Sequence, residues 1–342
     1  MVTIKDVARD AGVSVGTVSN VLNGGRVSEA RRKLVEASIE KLGYQVNTLA
    51  KGMRMQKTDY VVVILPNLIN PYFALLLDAL ESELSAVGKQ VLLCLSGDDA
   101  EREVAFMDMA KQNKVDGIIG VTYSKVEEER IENMAFVSID RHYKSHIPCV
   151  AGDNWQGGWL AAENLHKRGA TNLLCFMTMS SVDSEVRKRR VGFTEYCMEH
   201  DLSCNSVEMS EKQIVSVYES YGSRKLIHNM LRAYISPSLG EHSIDGIFTS
   251  SDHLATIVRE ELEEMGKQVP EDIQIIGYDG LQFLNQGKPI VSSIAQPVHE
   301  IAKQAVKSLT DMIENGKAED VTNIPVTFHE GPTTKPLETI SE

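Results

Sequence analysis

The sequence predicts an all-α helix-turn-helix head followed by a larger α/β body with two doubly wound parallel sheets. Three observations predict this: short capped helices near the start, an alternation of apolar strands and helices afterwards, and a change in the sign of the charge. The 342 residues carry a net charge of −13, but the first 57 hold ten basic and five acidic side chains. That segment is therefore +5 and the remainder −18. This asymmetry favours a nucleic-acid partner for the head alone.

Composition and motifs exclude several classes of protein. Hydrophobic residues make up 42% and charged residues 24%, as in folded globular chains. The apolar run Val61–Leu65 is far too short to span a membrane. Lys5 and Asp6 interrupt the stretch where a signal peptide would be apolar, so we expect a cytoplasmic protein. The five cysteines show no CxxC spacing and predict reduced thiols.

Catalytic motifs are missing from the sequence. There is no Walker loop and no GxGxxG, GxSxG or HExxH pattern, and the nine histidines show no metal-ligand spacing. We therefore expect neither an enzyme nor a cofactor. An extracytoplasmic sugar-binding protein is a further alternative, because it would share the predicted body. Such a protein would need an export signal and would have no DNA-binding head.

The head shows start and stop signals for three helices. Thr3 and Asp6 form a predicted capping box at the first helix. The helices lie between the signals Thr3 to Gly12, Ser14 to Asn23 and Ser28 to Gly43, and the second is Val15–Leu22. Two short helices joined by a tight turn, followed by a third, are typical of a helix-turn-helix module.

The second helix of such a module enters the major groove of DNA, where its first side chains meet base edges. We expect base contacts from Val15, Gly16 and Asn20. Hydroxyl, amide and guanidinium groups suit phosphate oxygens, and the predicted phosphate contacts are Ser14, Thr17, Ser19, Asn23 and Arg26. The alternative is that these residues only cap helices or face solvent. The whole arrangement on a basic head favours DNA binding.

The head resembles that of the LacI/GalR family of bacterial transcription regulators. The resemblance lies in Thr3-Ile4-Lys5-Asp6-Val7-Ala8, Ala11-Gly12-Val13-Ser14, Thr17-Val18-Ser19-Asn20-Val21-Leu22-Asn23, Leu42-Gly43-Tyr44 and Asn47-Thr48-Leu49-Ala50. It implies a bacterial, nucleoid-associated homodimer on a pseudo-palindromic operator, with Thr3 and Asn47 among the DNA-contacting residues. Many members carry arginine at the position of Asn20, so the base contacted there stays open.

Residues 47–57 are the predicted hinge. Within it, the nine residues 47–55, which include a glycine, do not hold a stable isolated helix. In the family this segment becomes helical on operator DNA, and a leucine wedges into the minor groove. The resemblance gives that role to Met53 and places Ala50 at a close contact between paired hinge helices. A plain flexible linker is the alternative.

Strands alternate with helices after Lys57, as in parallel, doubly wound sheets. The predicted strands are Tyr60–Leu65, Gln90–Leu95, Asp116–Val121, Phe136–Asp140, Leu173–Met177, Ile244–Thr249, Ile273–Tyr278, Ile290–Ala295 and Ile324–Phe328. The predicted helices are Phe73–Val87, Ala100–Gln112, Gly157–Lys167, Arg187–Asp201, Glu219–Tyr234 and Asp252–Met265. Asp245-Gly246-Ile247-Phe248 repeats Asp116-Gly117-Ile118-Ile119, so we expect two similar halves around a cleft.

The resemblance extends over this body and implies a periplasmic-binding-protein-like fold. In that fold the chain passes between two subdomains three times, which we place near residues 153, 293 and 325. The predicted organisation is a helix-turn-helix domain at 1–46, a hinge at 47–57, an N-terminal effector subdomain at 58–153 plus 294–325, and a C-terminal effector subdomain at 154–293 plus 326–342.

Polar and aromatic residues near the ends of predicted strands form the candidate effector site. Aspartate, arginine and glutamine hold vicinal hydroxyls, and aromatic rings stack on the C–H faces of a sugar. The candidates are Asn70, Tyr72, Phe73, Asp140, Arg141, Trp155, Arg189, Asp252, Asp279 and Gln296. The resemblance supports Arg189, because the family keeps a ligand-binding arginine three residues before the glycine that is Gly192 here.

Several candidates have alternatives. Asp252 could only cap its helix, and Trp155 could pack between subdomains. Tyr72 and Phe73 could be core residues. The run of basic residues that includes Arg189 could simply form the solvent-exposed face of a helix.

The resemblance implies a repressor of carbohydrate-utilisation genes, whose operator affinity changes when a sugar or sugar phosphate binds in the cleft. A phosphocarrier protein or a purine corepressor is the alternative partner, and the sign of the response stays open. Tyr278-Asp279-Gly280 with Gln296-Pro297 resembles sucrose- or fructose-type repressors. No heptad helix follows the last predicted strand, which favours a dimer over a coiled-coil tetramer.

Overall fold

The computed structural model describes residues 2–337 apart from position 23, residues 45–57 and segments at 98, 125–130, 132–133, 144–146, 180–181, 183, 220–223, 236–242 and 283–286. The chain forms two compact units, Met1–Thr58, which we call the head, and Asp59–Glu342, which we call the body. This division lies next to the predicted boundary between the hinge and the body.

Three helices form the described part of the head: α1 (Ile4–Asp10), α2 (Val15–Leu22) and α3 (Glu29–Leu42). They confirm the predicted helix-turn-helix module. Val7, Val18 and Val35, one from each helix, are fully buried. The three helices therefore share one small hydrophobic core.

The caps of these helices follow the prediction in two cases out of three. The Thr3 amide donates to the Asp6 carboxylate at 3.0 Å, and the expected capping box is present at the start of α1. Ser14 accepts a hydrogen bond from the Thr17 amide at 3.1 Å at the start of α2. Ser28 precedes α3 in extended conformation, but its side chain makes no capping bond.

The described strands of the body are β1 (Tyr60–Leu65), β2 (Gln90–Leu95), β3 (Gly117–Gly120), β4 (Phe136–Ile139), β5 (Cys149–Gly152), β6 (Asn172–Met179), β7 (Ser203–Ser210), β8 (Gly246–Thr249), β9 (Gln274–Asp279), β10 (Ser292–Ala295), β11 (Val321–Ile324) and β12 (Thr327–His329). One sheet has the order β11-β5-β4-β3-β1-β2 and the other β12-β10-β9-β8-β6-β7. Neighbouring strands are parallel except β12, which runs antiparallel to β10. The predicted pair of doubly wound sheets is confirmed.

Helices cover both faces of each sheet. They are α4 (Pro71–Ala86), α5 (Ala100–Gln112), α6 (Asn154–Lys167), α7 (Arg187–Glu199), α8 (Glu211–Glu219), α9 (Lys225–Ile235), α10 (Asp252–Glu264) and α11 (Val298–Asn315). Helices α4 and α11 pack on one face of the first sheet and α5 on the other. Helices α6 and α7 pack on one face of the second sheet and α8 to α10 on the other. Buried parallel strands of this kind explain the continuous apolar runs in the sequence.

The chain passes between the two halves of the body at three places: Asp153 after β5, Gln296–Pro297 after β10, and Pro325–Val326 between β11 and β12. The second passage lies later than the expected position near 293. The reason is that β10 continues in the second sheet through Ala295, where it pairs with Asp279.

Several predicted elements differ from the structure. The helix expected over 219–234 corresponds to α9, and α8 was not predicted. The strand expected over 324–328 is two short strands in different sheets, because Pro325 interrupts the ladder. The strands β5 and β7 and the helix α11 were not predicted. Strand β5 has only four residues, and β7 is a largely exposed edge strand with polar residues. None of the described helices is long and apolar enough to cross a bilayer.

Candidate functional site

A cleft lies between the two halves of the body, where the carboxyl ends of the strands meet. It encloses about 750 Å³ of space, part of it open to solvent. The predicted residues that line it are Asn70, Tyr72, Phe73, Asp140, Arg189, Asp279 and Gln296. Both halves thus contribute, and Gln296 lies on one of the chain passages between them.

Two buried aspartates face the cleft, one from each half. Asp140 follows β4 and Asp279 ends β9, and their side chains are almost inaccessible to solvent. Both have positive φ, 61° and 123°, which is costly for a residue with a side chain and is typical of functional sites. Burial raises the pKa of Asp140 to about 6 and that of Asp279 to about 7, and the nearby Arg189 opposes both shifts.

Arg189 is the buried cation of the cleft. Its Nε donates to Asn154 Oδ1 at 2.7 Å, and its Nη1 donates to the Ser250 carbonyl oxygen at 2.8 Å. The guanidinium carbon lies 3.5 Å from the centre of the Tyr278 ring. These contacts fix the plane of the guanidinium group, so it acts as a rigid donor rather than a solvated surface charge.

Several buried polar atoms of the cleft lack a hydrogen-bond partner in the described structure. They are Tyr72 Oη, Ser184 Oγ, Asp279 Oδ2 and Gln296 Oε1. The other oxygen of Asp279 accepts from Gln296 Nε2 at 2.9 Å. Buried polar groups are nearly always paired, so a cluster of unpaired donors and acceptors indicates the place of a polar ligand. Hydroxyl groups, which both donate and accept, fit this set.

Helices α6 and α7 hold Arg189 in position through direct backbone contact. A Cβ atom on Gly158 of α6 would lie 1.8 Å from the Arg189 carbonyl oxygen, and one on Gly192 of α7 would lie 2.0 Å from the Trp155 carbonyl oxygen. Only glycine permits this approach. The arginine lies in the first turn of α7, beside Asn154 at the start of α6. The glycines therefore set the distance at which the Arg189–Asn154 bond forms.

The structure does not bring Arg141 to the lining of the cleft. Its Nη1 donates to Thr122 Oγ1 at 3.1 Å and to the Ser124 carbonyl oxygen at 2.6 Å, and its guanidinium lies over the Tyr143 ring. Arg141 was predicted to contact the effector, but in the structure its guanidinium group has these partners instead. The side chain anchors the end of β4 within the first half.

Asp252 and Trp155 also lie elsewhere. The cap of α10 is Ser251, whose Oγ accepts from the Leu254 amide, so the alternative role of Asp252 as a cap is wrong. Asp252 is buried and accepts from the Leu281 amide at 2.7 Å. Trp155 is 38% exposed, stacks on Trp159 and donates to a glutamate of α7. It packs along α6 and α7 rather than against the cleft.

Sequence reasoning missed other residues of the lining. They include Asn67, Tyr123, Thr178, Ser184, Arg187, Tyr218, Ser250 and Ser251. Tyr218 Oη lies 3.0 Å from Ser251 Oγ, and Thr178 Oγ1 lies 3.0 Å from Ser250 Oγ, so hydroxyl groups line the wall of the second half. Asn67, Ser250 and Ser251 lie within two residues after a strand, and a systematic selection of polar residues after every strand would have found these three.

In the head, the predicted DNA contacts fall on and around α2. Gly16, Asn20, Ser14, Arg26 and Thr3 are exposed, whereas Val15, Thr17 and Ser19 are partly buried. Val15 packs against the core of the head, and Ser14 and Thr17 hydrogen-bond to each other at 2.9 Å. Asn23, Asn47, Ala50 and Met53 lie outside the described residues.

The chain is similar to known proteins along its whole length. Residues 3–47 match the model described as bacterial regulatory proteins, lacI family, and residues 162–334 match a periplasmic binding protein-like domain. The sucrose operon repressor of Pediococcus pentosaceus is 32% identical over 332 residues, which cover 96% of this chain and 98% of the repressor.

Two solved structures extend the comparison. A periplasmic binding protein/LacI transcriptional regulator from Alkaliphilus metalliredigens, complexed with D-xylulofuranose, is 26% identical with a TM-score of 0.69, and the match covers 81% of this chain and 100% of that chain. The lac repressor dimer bound to operator and the anti-inducer ONPF has a TM-score of 0.80 at 21% identity, over 97% of this chain and 99% of that chain. The second likeness bears on the fold alone.

Proposed function

The chain belongs to the lacI family of bacterial regulatory proteins, and from this premise we propose that it represses sugar-utilisation genes in response to a sugar bound in the cleft. One observation supports the sugar above all. Tyr72, Asp279 and Gln296 present unpaired buried polar atoms in the cleft, beside the fixed guanidinium of Arg189. Vicinal hydroxyl groups would satisfy such a set.

The charges of the cleft favour an uncharged sugar over a sugar phosphate. Among the described lining residues, two carboxylates, Asp140 and Asp279, face two guanidinium groups, Arg187 and Arg189. A phosphate would add negative charge beside two buried carboxylates whose pKa values are already raised by burial. A neutral polyol adds no charge to the cleft and so requires no further positive group to balance it.

The head supplies the DNA contacts in this proposal. A homodimer places two copies of α2 in successive major grooves of a pseudo-palindromic operator, with the exposed Asn20 near the base edges. Paired hinge segments enter the central minor groove, where Met53 serves as the apolar wedge. The effector closes the cleft and changes hinge order. The two binding events are then linked through one equilibrium, and induction is the sign we propose.

The proposal is tested by operator binding with and without candidate effectors. An operator is first selected from random DNA by the full-length protein, and its affinity is then titrated at fixed salt. We expect an uncharged sugar such as fructose, sucrose or ribose to lower operator affinity at least about tenfold, within the usual range of allosteric coupling. A response to purines alone would overturn the sugar assignment, and a response to sugar phosphates alone would overturn the preference for an uncharged ligand.

We expect Asp279→Asn to weaken binding of the uncharged sugar about tenfold at pH 8, because a carboxylate accepts hydroxyl hydrogen bonds more strongly than an amide does. The pKa of Asp279 is raised to about 7, so the wild-type affinity falls as the pH is lowered through 7. The variant should lose most of this dependence. Isothermal titration calorimetry at pH 8, 7 and 6 measures both effects.

The stability of the sugar-free body should change in the opposite direction. Because burial raises the pKa of Asp279 above its unfolded value, the native state binds the proton more tightly. The unfolding free energy therefore falls as the pH rises from about 4 through 7. Asp279→Asn removes this loss of unfolding free energy, so the variant should have a higher melting temperature than the wild type at pH 8. A variant that loses stability together with affinity would indicate a structural role.

A further inference from the structure

The two halves of the body also touch beside the cleft, at a place that is not a chain passage. The Glu185 amide of the second half donates to the Asp140 carbonyl oxygen of the first at 2.9 Å. Next to this bond, Arg141 and Ser184 form an isolated antiparallel bridge. A short piece of β pairing thus joins the end of β4 to the segment before α7, at the side of the cleft.

Side chains reinforce this contact. The Glu185 side chain is 1% exposed, and its Oε1 contacts His142 Nε2 of the first half. The same oxygen accepts from Lys188 Nζ of α7 at 2.6 Å. Burial of a carboxylate is costly unless charged or hydrogen-bonded partners surround it. Of the two partners of Glu185 Oε1, Lys188 belongs to the same half, whereas His142 is a partner only while the two halves touch.

Both sides of the contact are held rigidly on their own half. Arg141, bonded to Thr122 and Ser124, fixes the end of β4. On the other side, Glu185 and Lys188 flank the start of α7, the helix that carries Arg189. Because neither side can move independently of its own half, the contact must break when the two halves separate and the cleft opens.

We propose that Asp140–His142 and Ser184–Glu185 form a latch that holds the cleft closed and sets the balance between open and closed body before any effector binds. This inference rests on the proposed function, since it describes the regulation of the same cleft. Asp140 is part of both the cleft and the latch. Its carboxylate faces the cleft, and its carbonyl oxygen accepts the hydrogen bond from the Glu185 amide. An effector that contacts Asp140 thus acts directly on the latch.

The latch has a thermodynamic consequence that a purely structural contact lacks. If the effector binds the closed body, its apparent affinity is the intrinsic affinity multiplied by the closed fraction. Weakening the latch lowers that fraction and so lowers effector affinity. If closure also releases the operator, the same change must raise operator affinity in the absence of effector. The two shifts have opposite signs and a common origin.

His142→Ala tests the latch in the full-length protein without any effector. We expect hydrogen exchange of the Glu185 amide to accelerate about tenfold, while amides inside β4 keep their protection. His142→Gln, which can still donate to Glu185, should restore much of the protection. His299→Ala, at an exposed histidine of α11, is the matched control. Unchanged exchange at Glu185 in His142→Ala would overturn the latch, as would equal acceleration throughout β4.

A second variant closes the latch covalently. Facing residues of an antiparallel bridge have Cα atoms about 4.5–5.5 Å apart, which suits a disulfide. Oxidised Arg141→Cys/Ser184→Cys should bind operator with an affinity that sugar no longer changes, and reduction should restore the response. A sugar response retained in the oxidised protein would contradict the latch. If no sugar changes operator binding by the wild type, the proposed function fails, and the exchange at Glu185 still decides whether the latch exists.

Discussion

Arg189→Met should abolish effector binding, with a loss of at least about a hundredfold in affinity and no more than a small change in operator affinity without effector. The guanidinium bonds Asn154 and Ser250 and is the buried positive charge nearest to Asp140 and Asp279. Removing one partner of a buried charge pair costs about 2–5 kcal/mol, largely because the opposite charge stays buried without compensation. Calorimetric titration of the sugar measures the loss.

The neighbouring Arg190 provides a matched control for this prediction. It is on the same helix, but it forms a half-exposed pair with Glu208 at 2.9 Å, a kind of pair that contributes little. Arg190→Met should bind the sugar as the wild type does. Arg189→Lys tests geometry, since it keeps the charge without the planar fork. An Arg189→Met protein that binds the sugar within threefold of wild type would refute the assigned role.

Arg189→Met should also raise the pKa of both aspartates further, because the group that opposes their shifts is gone. Any residual sugar affinity of the variant should therefore fall at a higher pH than in the wild type. This readout separates an electrostatic role of Arg189 from a merely structural one, which would not move the pH profile.

Three of the cleft residues that the sequence predicted lie where a parallel strand ends. Asp140, Asp279 and Gln296 follow this rule, because the carboxyl ends of parallel strands meet at one edge of a sheet. Arg141 shows the limit of the rule. It follows Asp140 directly, but the positive φ of Asp140 redirects the chain, and the arginine binds Thr122 and Ser124 instead.

Element boundaries account for two further errors at the site. Ser251 and Asp252 are both good capping residues, and sequence alone does not tell which of two adjacent residues takes the cap position. The structure gives the cap to Ser251 and buries Asp252 beside Leu281. Tyr218 was missed because α8, the helix in which it lies, was not predicted, and the expected helix begins only at Glu219.

The fold was more predictable than the site, with one avoidable omission. Helix α11 has a clear apolar face, since Ile301, Ala302, Ala305, Val306 and Leu309 are buried at helical spacing. The edge strand β7 was not readable in the same way, because its exposed polar residues carry no strand pattern. The pairing of β7 with β6 comes from tertiary contact rather than from local preference.

Substitution of a glycine between α6 and α7, the two helices that hold Arg189 in position, should have the second large effect. Gly158 and Gly192 lie at the contact between α6 and α7, where each faces backbone of the other helix. A side chain could rotate away from an added methyl group, but a carbonyl oxygen cannot. Any residue larger than glycine must therefore push the two helices apart. Because Asn154 and Arg189 lie on opposite sides of this contact, their 2.7 Å hydrogen bond would be lost with it.

We expect Gly158→Ala to destabilise the body by about 3 kcal/mol or more, since its Cβ would lie 1.8 Å from the Arg189 carbonyl oxygen and overpacking at backbone has no local relief. Whatever folds should also bind sugar weakly, as Arg189→Met does. Thermal melting and urea unfolding of the full-length protein measure the loss. Gly16→Ala is the control, because the same change in α2 meets only Ser14 Oγ at 3.6 Å and should leave the melting of the body unchanged. If Gly158→Ala has the melting temperature of the wild type, α6 and α7 do not pack as closely as the structure shows.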